Sequence, residues 1–304
     1  MSPVGPVVPA DRRGPALVAA AAVLWGSLGM AGRVAFAAGV QPLEAAFYRA
    51  AMAFVVLLAL TARAHPRQLR VRTSDLPLFA VFGLVSFAAF FFVYLYAIRE
   101  TSVATAALLL YTAPAFVVLL SAAVFGERLT ARRAAAVALA FAGCALVVSG
   151  GHLSTLRVPV RGALAGLAAG LTYALYSILG KIALSRYPPM PTLTYGLGVG
   201  AVTLGTAAAA AGQIGTDHPP QAWAALAYLA VAATAAPQLL YLAGLRVLEP
   251  GRASLIATLE PVVAAVLGVL LLHEPLTPAQ AVGGLMVLSA VWASRPVRPA
   301  SGGG

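Results

Sequence analysis

The sequence predicts an all-α polytopic membrane protein in which ten transmembrane helices form two inverted five-helix repeats. Hydrophobic residues make up 61% of the chain and charged residues only 10%, whereas about one quarter of the residues of a soluble domain are charged. The hydrophobic residues gather into runs of membrane-spanning length. Much of the first half of the chain recurs in the second half. These three observations lead to the predicted fold class.

Ten apolar runs each approach the roughly 20 residues that cross about 30 Å of hydrocarbon. In chain order the predicted helices cover residues 14–36, 42–62, 76–97, 102–125, 131–149, 162–184, 191–212, 222–245, 251–272 and 278–293. Turn residues such as Gln41-Pro42 and Gly150-Gly151 separate most of these runs. Only Arg99-Glu100-Thr101 separates the third run from the fourth, which predicts a tight hairpin.

The first apolar run also has features of a secretory signal peptide, because Arg12-Arg13 precedes it. It is longer than the about 7 to 15 apolar residues of such signals. Aligning Gly32-Arg33 with Gly180-Lys181 places Trp25 opposite Tyr173, so the run has a counterpart in the second half. We therefore predict that it is the first transmembrane helix.

The duplication is clearest between residues 94–130 and 241–277, which match at an offset of about 147 residues. The matching pairs include Tyr94 and Tyr241, Arg99 and Arg246, Pro114 and Pro261, Glu127 and Glu274, and Thr130 and Thr277. A fixed long period indicates an internal repeat. Because each copy holds an odd number of helices, the second copy must enter the membrane inverted, with a pseudo-two-fold axis in the membrane plane.

Basic residues are concentrated in alternate loops. One set holds Arg12, Arg13, Arg63, Arg67, Arg70, Arg72, Arg128, Arg132, Arg133, Lys181, Arg186, Arg246, Arg252, Arg295 and Arg298. The other set holds only Arg33, Arg99, Arg157 and Arg161. By the positive-inside rule, both termini are predicted to be cytoplasmic.

The predicted boundaries are a disordered cytoplasmic N-terminus (1–13), a first repeat (14–149), a second repeat (161–293) and a cytoplasmic tail (294–304). The net charge of +11 lies in short loops without interleaved aromatic residues, so we expect no nucleic-acid partner. The single cysteine, Cys144, excludes an intrachain disulfide. No nucleotide-binding or metal-binding motif is present, so we expect no cofactor and no metal.

Several motifs recur in order along the two copies. They are Trp25-Gly26, Tyr94 to Ile98, Tyr111-Thr112-Ala113-Pro114, Gly126 to Thr130, Tyr241 to Leu245, Leu259 to Val263 and His273 to Leu276. In this order they resemble the EamA-type carriers of the drug/metabolite transporter superfamily, including bacterial exporters of aromatic amino acids, over nearly the whole chain.

The resemblance implies a secondary transporter of the bacterial inner membrane that exports small organic metabolites by alternating access at a cavity between the repeats. Neutral or aromatic amino acids are the predicted substrates. Nucleosides, polyamines or cationic drugs, and a non-transporting sensor or scaffold, are the alternatives. We expect a small-molecule substrate and the lipid bilayer as partners, in a monomer or weak homodimer driven by an ion gradient or acting as a uniporter.

Polar side chains at membrane depth are candidates for function, because an ionisable group costs at least about 2.5 kcal/mol there. Glu260 lies near the middle of the ninth predicted helix, and Pro261 is expected to kink the backbone beside it. Glu260 either titrates a proton or binds a substrate amine, or it is a structural carboxylate bonded to a neighbouring helix. Its counterpart in the first copy is Ala113, so its role is not shared.

Aromatic residues with a polar tip suit a cavity for an amphipathic solute. The candidate cavity-lining residues are Trp25, Tyr94, Tyr111, Tyr173, Tyr176 and Tyr241. The alternative is an interfacial belt or ordinary packing. Gln238, beside Pro237, either binds substrate or satisfies a freed carbonyl. The phenylalanines Phe87 and Phe90-Phe91-Phe92 are predicted to face lipid.

Arg49 lies about a turn and a half into the second predicted helix. It either pairs loosely with Glu44, snorkels or bonds to another helix, or binds a substrate carboxylate. Pro114 and Pro261 are equivalent, and inverted-repeat carriers place their sites at interrupted helices, so both are gating candidates. Gly162, Gly166 and Gly170 predict tight packing of the sixth helix.

An intramembrane enzyme is the rival from a different class of protein. Ser27 lies between two glycines like a nucleophile, but it would need a nearby base. The histidines fall in loops or at helix ends, at positions 65, 152, 218 and 273. His273-Glu274 lacks the second histidine of a zinc-protease motif. We therefore assign no catalytic residue and predict that the protein is not an enzyme.

Overall fold

The computed structural model describes residues 13–152 and 158–295, and the regular secondary structure in these ranges is helical. The helical spans are α1 (Arg13–Ala37), α2 (Pro42–Ala64), α3 (Thr73–Glu100), α4 (Val103–Phe125), α5 (Ala131–Ser149), α6 (Val160–Leu184), α7 (Pro189–Ala210), α8 (Pro220–Val247), α9 (Pro250–Leu272) and α10 (Pro278–Ala293). Of these described spans, nine are long and apolar enough to cross a membrane, and α10 is a shorter apolar helix. The predicted fold class is confirmed.

Some of the sequence-based predictions concern residues outside the described ranges. They are the N-terminal segment up to Arg12, the loop residue Arg157, and the tail from residue 296 onward with Arg298. The predicted tight hairpin is present, since only Thr101 and Ser102 join α3 to α4. Ser102 caps α4 by accepting a hydrogen bond from the Thr105 backbone nitrogen at 3.1 Å.

The helices pack in pairs that obey the predicted two-fold relation. Helix α1 packs on α8, α3 on α6, α2 on α7, and α5 on α10. If each helix is exchanged for its counterpart five places along the chain, the α1–α8 contact becomes the α6–α3 contact. The α2–α7 and α5–α10 contacts map onto themselves. The packing therefore has the symmetry expected of two equivalent five-helix units.

Irregularities in the helices also recur between the copies. Helix α3 contains a π-helical turn at Leu84–Ala89, and α8 contains one at Val231–Ala235. Helix α4 is interrupted after Leu110, and α9 is interrupted after Ala257. The two π-helical turns, and likewise the two interruptions, are separated by the same offset of about 147 residues that relates the two copies in the sequence. The duplication therefore extends to local departures from regular helix geometry.

Glycines allow several of these helices to approach closely. A Cβ atom on Gly143 of α5 would lie 2.7 Å from the carbonyl oxygen of Gly283 of α10. On α6, a Cβ atom on Gly166 would lie 2.5 Å from Leu109, and one on Gly170 would lie 2.6 Å from Thr112. The predicted tight packing of the sixth helix is therefore present, and it is directed at α4.

The prediction that Phe87 and Phe90-Phe91-Phe92 face lipid is wrong for most of this run. Phe87 is only 7% exposed, because Gly196 and Gly200 of α7 leave room for its ring. Phe90 stacks on Tyr94 with 5.6 Å between ring centroids. Of these rings, only that of Phe92 is largely exposed, at 41%.

Candidate functional site

A narrow cleft lies where the interruptions of α4 and α9 meet, near the middle of both helices. Its lining residues are Leu110, Tyr111, Ala113, Pro114, Tyr173, Ser254, Ala257, Thr258 and Glu260. The cavity volume is about 20 Å³, which is room for about one water molecule. The cleft must therefore widen before an organic solute can enter it.

The two interruptions have the same physical cause. Pro114 and Pro261 have no N–H, so neither donates to the carbonyl four residues earlier. Just before each proline, a threonine side chain satisfies another carbonyl. Thr112 Oγ1 donates to Leu109 O, and Thr258 Oγ1 donates to Leu255 O, both at 2.6 Å. The predicted break beside Glu260 is thus present, with a matching break in the first copy.

Glu260 lies in the first turn of the second half of α9, which runs from Leu259 to Leu272. A helix N-terminus carries partial positive charge, so this position favours a carboxylate at membrane depth. The side chain is partly exposed to the cleft and makes no hydrogen bond or salt bridge with another described residue. The expected alternative of a carboxylate bonded to a neighbouring helix does not occur in this conformation.

Arg49 approaches the same region from α2. Its guanidinium carbon lies 5.6 Å from the centroid of the Phe91 ring. It is close enough to Glu260 for a direct electrostatic interaction, although the two form no salt bridge. The suggested pair with Glu44 is not formed, because the Glu44 carboxylate lies 2.8 Å from His218 Nε2 at the end of the helix. A cation and an anion therefore lie close together without forming a salt bridge.

Three tyrosines lie near Glu260. Tyr94, Tyr111 and Tyr173 are all close enough to Glu260 to interact electrostatically with it. Their side chains are partly exposed, and their hydroxyl groups form no hydrogen bond within the described part of the chain. The structure thus brings together five of the predicted residues with polar groups that are available to a solute.

Tyr176, Tyr241 and Gln238 lie deeper in the protein. Tyr241 is fully buried, and its hydroxyl lies 2.6 Å from Ser177 Oγ. Tyr176 is also buried and donates a hydrogen bond to the backbone oxygen of Gln238 at 3.4 Å. The side-chain Oε1 of Gln238 is buried and has no hydrogen-bond partner. These residues form packed support behind the cleft, and Gln238 does not satisfy the carbonyl freed by Pro237.

Trp25 connects this support to the cleft. Its ring is 7% exposed and lies 6.4 Å from the ring of Tyr173 and 5.5 Å from that of Tyr241. The equivalence of Trp25 and Tyr173 in the sequence therefore becomes direct contact in the structure. In contrast, Tyr94 and Tyr241 are equivalent in the sequence but differ in environment, because only the Tyr241 hydroxyl is bonded.

Sequence reasoning missed Thr258, Ser254 and Cys144 at this site. Thr258 and Ser254 line the cleft, and Cys144 is close enough to Glu260 to interact with it electrostatically. The available signal was a threonine two or three residues before each of the equivalent prolines, Pro114 and Pro261. No local pattern places Cys144 there, because it comes from a different helix.

Residues 12–149 and residues 160–294 each match the EamA-like transporter family. The chain belongs to this family. The protein is therefore a multi-pass membrane transporter with a small-molecule substrate, and not an enzyme.

Relatives of the EamA protein include other transporters. An "Uncharacterized transporter" of Archaeoglobus fulgidus is 31% identical over 280 residues, which is 92% of this chain and 95% of the relative. A "Probable terminal-alkyne amino-acid exporter" of Streptantibioticus cattleyicolor is 33% identical over 152 residues, which is 49% of this chain and 50% of the relative. A crystal structure has a TM-score of 0.79 at 19% identity over 92% of this chain and 96% of its own, which supports the fold.

The EamA protein has different polar contacts at its two ends. At one end Arg133 bonds to Glu127 at 3.0 Å and also to Glu249, and Lys181 donates to Leu245 O at 2.7 Å. Burial, and then the neighbouring Glu249 carboxylate, raise the pKa of Glu127 above its ordinary value. A cluster of four residues joins the loops after α4 and α8: Glu127, Arg133, Glu249 and Lys181. We call the end of the protein that holds this cluster the bridged end.

At the opposite end, a single pair occupies the equivalent positions. Arg33 and Glu274 are the counterparts of Lys181 and Glu127, and their charged atoms lie 3.2 Å apart. Their side chains are 69% and 52% exposed, so this pair contributes at most about 1 kcal/mol. At these equivalent positions, the contacts of the bridged end are therefore the stronger ones.

We predict that Tyr241→Phe lowers the free energy of unfolding by about 1 kcal/mol, because it removes the buried hydrogen bond to Ser177. Tyr94→Phe is the matched control, since its hydroxyl has no partner among the described residues. Thermal unfolding of the purified proteins in detergent measures both effects. Equal midpoints for the two variants would contradict the structural role assigned to Tyr241.

Proposed function

We propose that this transporter carries neutral or aromatic amino acids across the membrane, as an exporter or facilitator. The observation that carries the proposal is the proximity of Arg49 to Glu260, a residue of the central cleft: the two groups interact electrostatically but form no salt bridge. An α-amino acid carries a carboxylate and an ammonium group on one carbon. Its two charges complement the two charges of the cleft.

The energetics favour a zwitterion between these residues. A charge in a low-dielectric interior is costly unless it is paired and hydrogen-bonded. A bound amino acid places its ammonium group beside Glu260 and its carboxylate beside Arg49, whose guanidinium suits bidentate contact with a carboxylate. Both protein charges are then paired. Because the zwitterion is neutral overall, its binding does not change the net charge of the site.

Aromatic residues beside these charges suit the side chain of the substrate. Tyr111 and Tyr173 line the cleft, and the Trp25 ring lies against that of Tyr173. Aromatic rings pack well against apolar and aromatic groups. The relative from Streptantibioticus cattleyicolor, named as a probable exporter of a terminal-alkyne amino acid, supports an amino-acid substrate.

Alternating access follows from the two ends of the protein. Release of the Arg133 contacts opens the bridged end, and closer packing around Arg33 and Glu274 then closes the opposite end. The interruptions at Pro114 and Pro261 lie between the ends, where a small change in backbone angle reorients half of each helix. We place the bridged end and both termini in the cytoplasm, in line with the distribution of arginines and lysines.

A cationic solute is the second candidate, because Glu260 and the surrounding aromatic rings also suit an amine. Such a solute has no carboxylate for Arg49 to bind. Arg49 therefore separates the two candidates, since its neutralisation removes a favourable contact for an amino acid and a repulsive one for a cation.

We predict that Glu260→Gln and Arg49→Gln each lower the initial rate of phenylalanine or leucine flux at least about tenfold, a loss of roughly 1.4 kcal/mol or more. Radiolabelled substrate and purified protein in liposomes provide the measurement. Glu100→Gln and Arg132→Gln are the matched controls, with the same chemical changes at positions outside the cleft, and should retain the rate.

The outcomes separate the proposals. Loss of flux in Glu260→Gln together with a gain in Arg49→Gln would favour a cationic solute. Absence of flux for every amino acid, nucleoside and amine tested would refute the transport proposal and leave a sensor or scaffold. If Glu260 couples transport to protons, Glu260→Gln abolishes pH-driven flux but retains exchange between labelled and unlabelled substrate.

We predict that Arg133→Gln increases opening of the bridged end, because it removes the link between Glu127 and Glu249. The measurement is the rate at which Ala257→Cys, in a Cys144→Ala background, reacts with a membrane-impermeant maleimide added at that end. The rate should rise severalfold in Arg133→Gln and stay unchanged in Arg132→Gln.

The same rate should depend on pH. Because the pKa of Glu127 is raised, this carboxylate is lost on mild acidification, and the Glu127–Arg133 salt bridge is lost with it. Acidification slows the labelling of any cysteine, because maleimide reacts with the thiolate. Labelling of Ala257→Cys relative to that of a fully exposed cysteine should therefore increase as the pH falls, beginning above the range of an ordinary glutamate. Glu127→Gln should remove this response, and a response that persists in that variant would count against the bridged end as a gate.

A further inference from the structure

A second cavity lies away from the central cleft, in a groove between α2 and α7. Its volume is about 460 Å³, which is within the roughly 300–1,000 Å³ of small-molecule sites. Phe54 and Leu58 of α2 form one wall, and Tyr195 and Val202 of α7 form the other, with Leu69 at one end. Val202 is 69% exposed, so the groove opens towards the surrounding lipid.

The groove offers no free hydrogen-bonding side chain among its described lining residues. Thr194 Oγ1 and Thr203 Oγ1 each donate at 2.9 Å to a carbonyl of their own helix. The Tyr195 hydroxyl donates to Leu69 O at 2.6 Å. A polar occupant would lose its bonds to water without replacement, so the groove suits a hydrocarbon chain.

The length of the groove matches one leaflet of a bilayer. Phe54 lies ten residues before Ala64, the last residue of α2, which corresponds to about 15 Å of helix. The hydrocarbon core is about 30 Å thick. The groove thus extends from about the middle of the membrane to its surface, as one acyl chain does.

Two arginines without an acidic partner flank Leu69, the lining residue at the surface end of the groove. Leu69 lies between Arg67 and Arg70, and both arginine side chains are exposed and form no salt bridge with a described residue. The nearest acidic residue in the sequence, Asp75, instead accepts hydrogen bonds from Arg186 and Tyr187. Two exposed guanidinium groups are therefore available next to the residue that ends the groove at the membrane surface.

We propose that the groove between α2 and α7 is a binding site for an anionic phospholipid, with one acyl chain between the helices and the phosphate bound by Arg67 and Arg70. Guanidinium groups bind phosphate by charge-assisted hydrogen bonds. Basic residues attract an anionic headgroup more strongly than a zwitterionic headgroup, because only the anionic headgroup carries a net negative charge. The site is separate from the central cleft and does not depend on the identity of the transported solute.

Native mass spectrometry of the purified full-length protein tests the proposal. The probes are phosphatidylglycerol and phosphatidylethanolamine with identical acyl chains. The wild type should bind phosphatidylglycerol about tenfold more tightly, and the double variant Arg67→Gln, Arg70→Gln should lose this preference. The matched control is Arg128→Gln, Arg132→Gln, which removes equal charge from exposed positions at the start of α5 and should retain the preference.

A groove-filling variant tests the acyl chain separately. Val202→Phe should weaken the binding of both lipids severalfold, whereas Leu285→Phe, at an exposed position of α10, should not. A preference that survives Arg67→Gln, Arg70→Gln overturns the proposal. A preference that is lost equally in the Arg128→Gln, Arg132→Gln control also overturns it, because diffuse surface charge then explains the binding.

Discussion

The site depends on one constraint, which is that Glu260 and Arg49 carry opposite charges at membrane depth without neutralising each other. A direct salt bridge would leave neither charge for a solute. Pro261 interrupts α9 just after Glu260 and places this carboxylate in the first turn of a half-helix, where the helix dipole favours it. The ring of Phe91 lies 5.6 Å from the guanidinium carbon of Arg49 and interacts favourably with its charge. The interruption, the cleft and the surrounding tyrosines all follow from keeping these two charges apart but accessible.

Duplication provides the scaffold, and divergence between the copies provides the site. The paired helices, the π-helical turns and the interruptions of α4 and α9 occur in both halves. The chemically distinctive groups do not, because Ala113 corresponds to Glu260 and Tyr111 corresponds to Thr258. A symmetric pair of interrupted helices therefore surrounds an asymmetric centre, and this asymmetry suits the proposed substrate with its two different charged ends.

The sequence predicted the fold well because membrane insertion imposes simple rules on composition. Apolar runs gave the helices, the repeat gave their pairing, and the prolines gave the interruptions. Side-chain partners across helices were harder to predict, since they depend on how each helix is rotated. A loose pair of Glu44 with Arg49 was one of the alternatives, but Glu44 contacts His218. Phe87 was expected in lipid but packs against the glycines of α7. The proximity of Arg49 to Glu260 arises between distant segments that no local pattern connects.

Calorimetric binding of phenylalanine, its methyl ester and N-acetylphenylalanine tests the central claim most directly, because the ester lacks the carboxylate and the acetyl derivative lacks the ammonium group. The wild type should bind phenylalanine at least about tenfold more tightly than either derivative, as expected for a lost charge-assisted contact of roughly 1.5–3 kcal/mol. In Arg49→Gln the difference between phenylalanine and the ester should vanish. In Glu260→Gln the difference between phenylalanine and the acetyl derivative should vanish. Differences that persist unchanged in both variants would contradict the assignment of these two residues to the ends of the substrate.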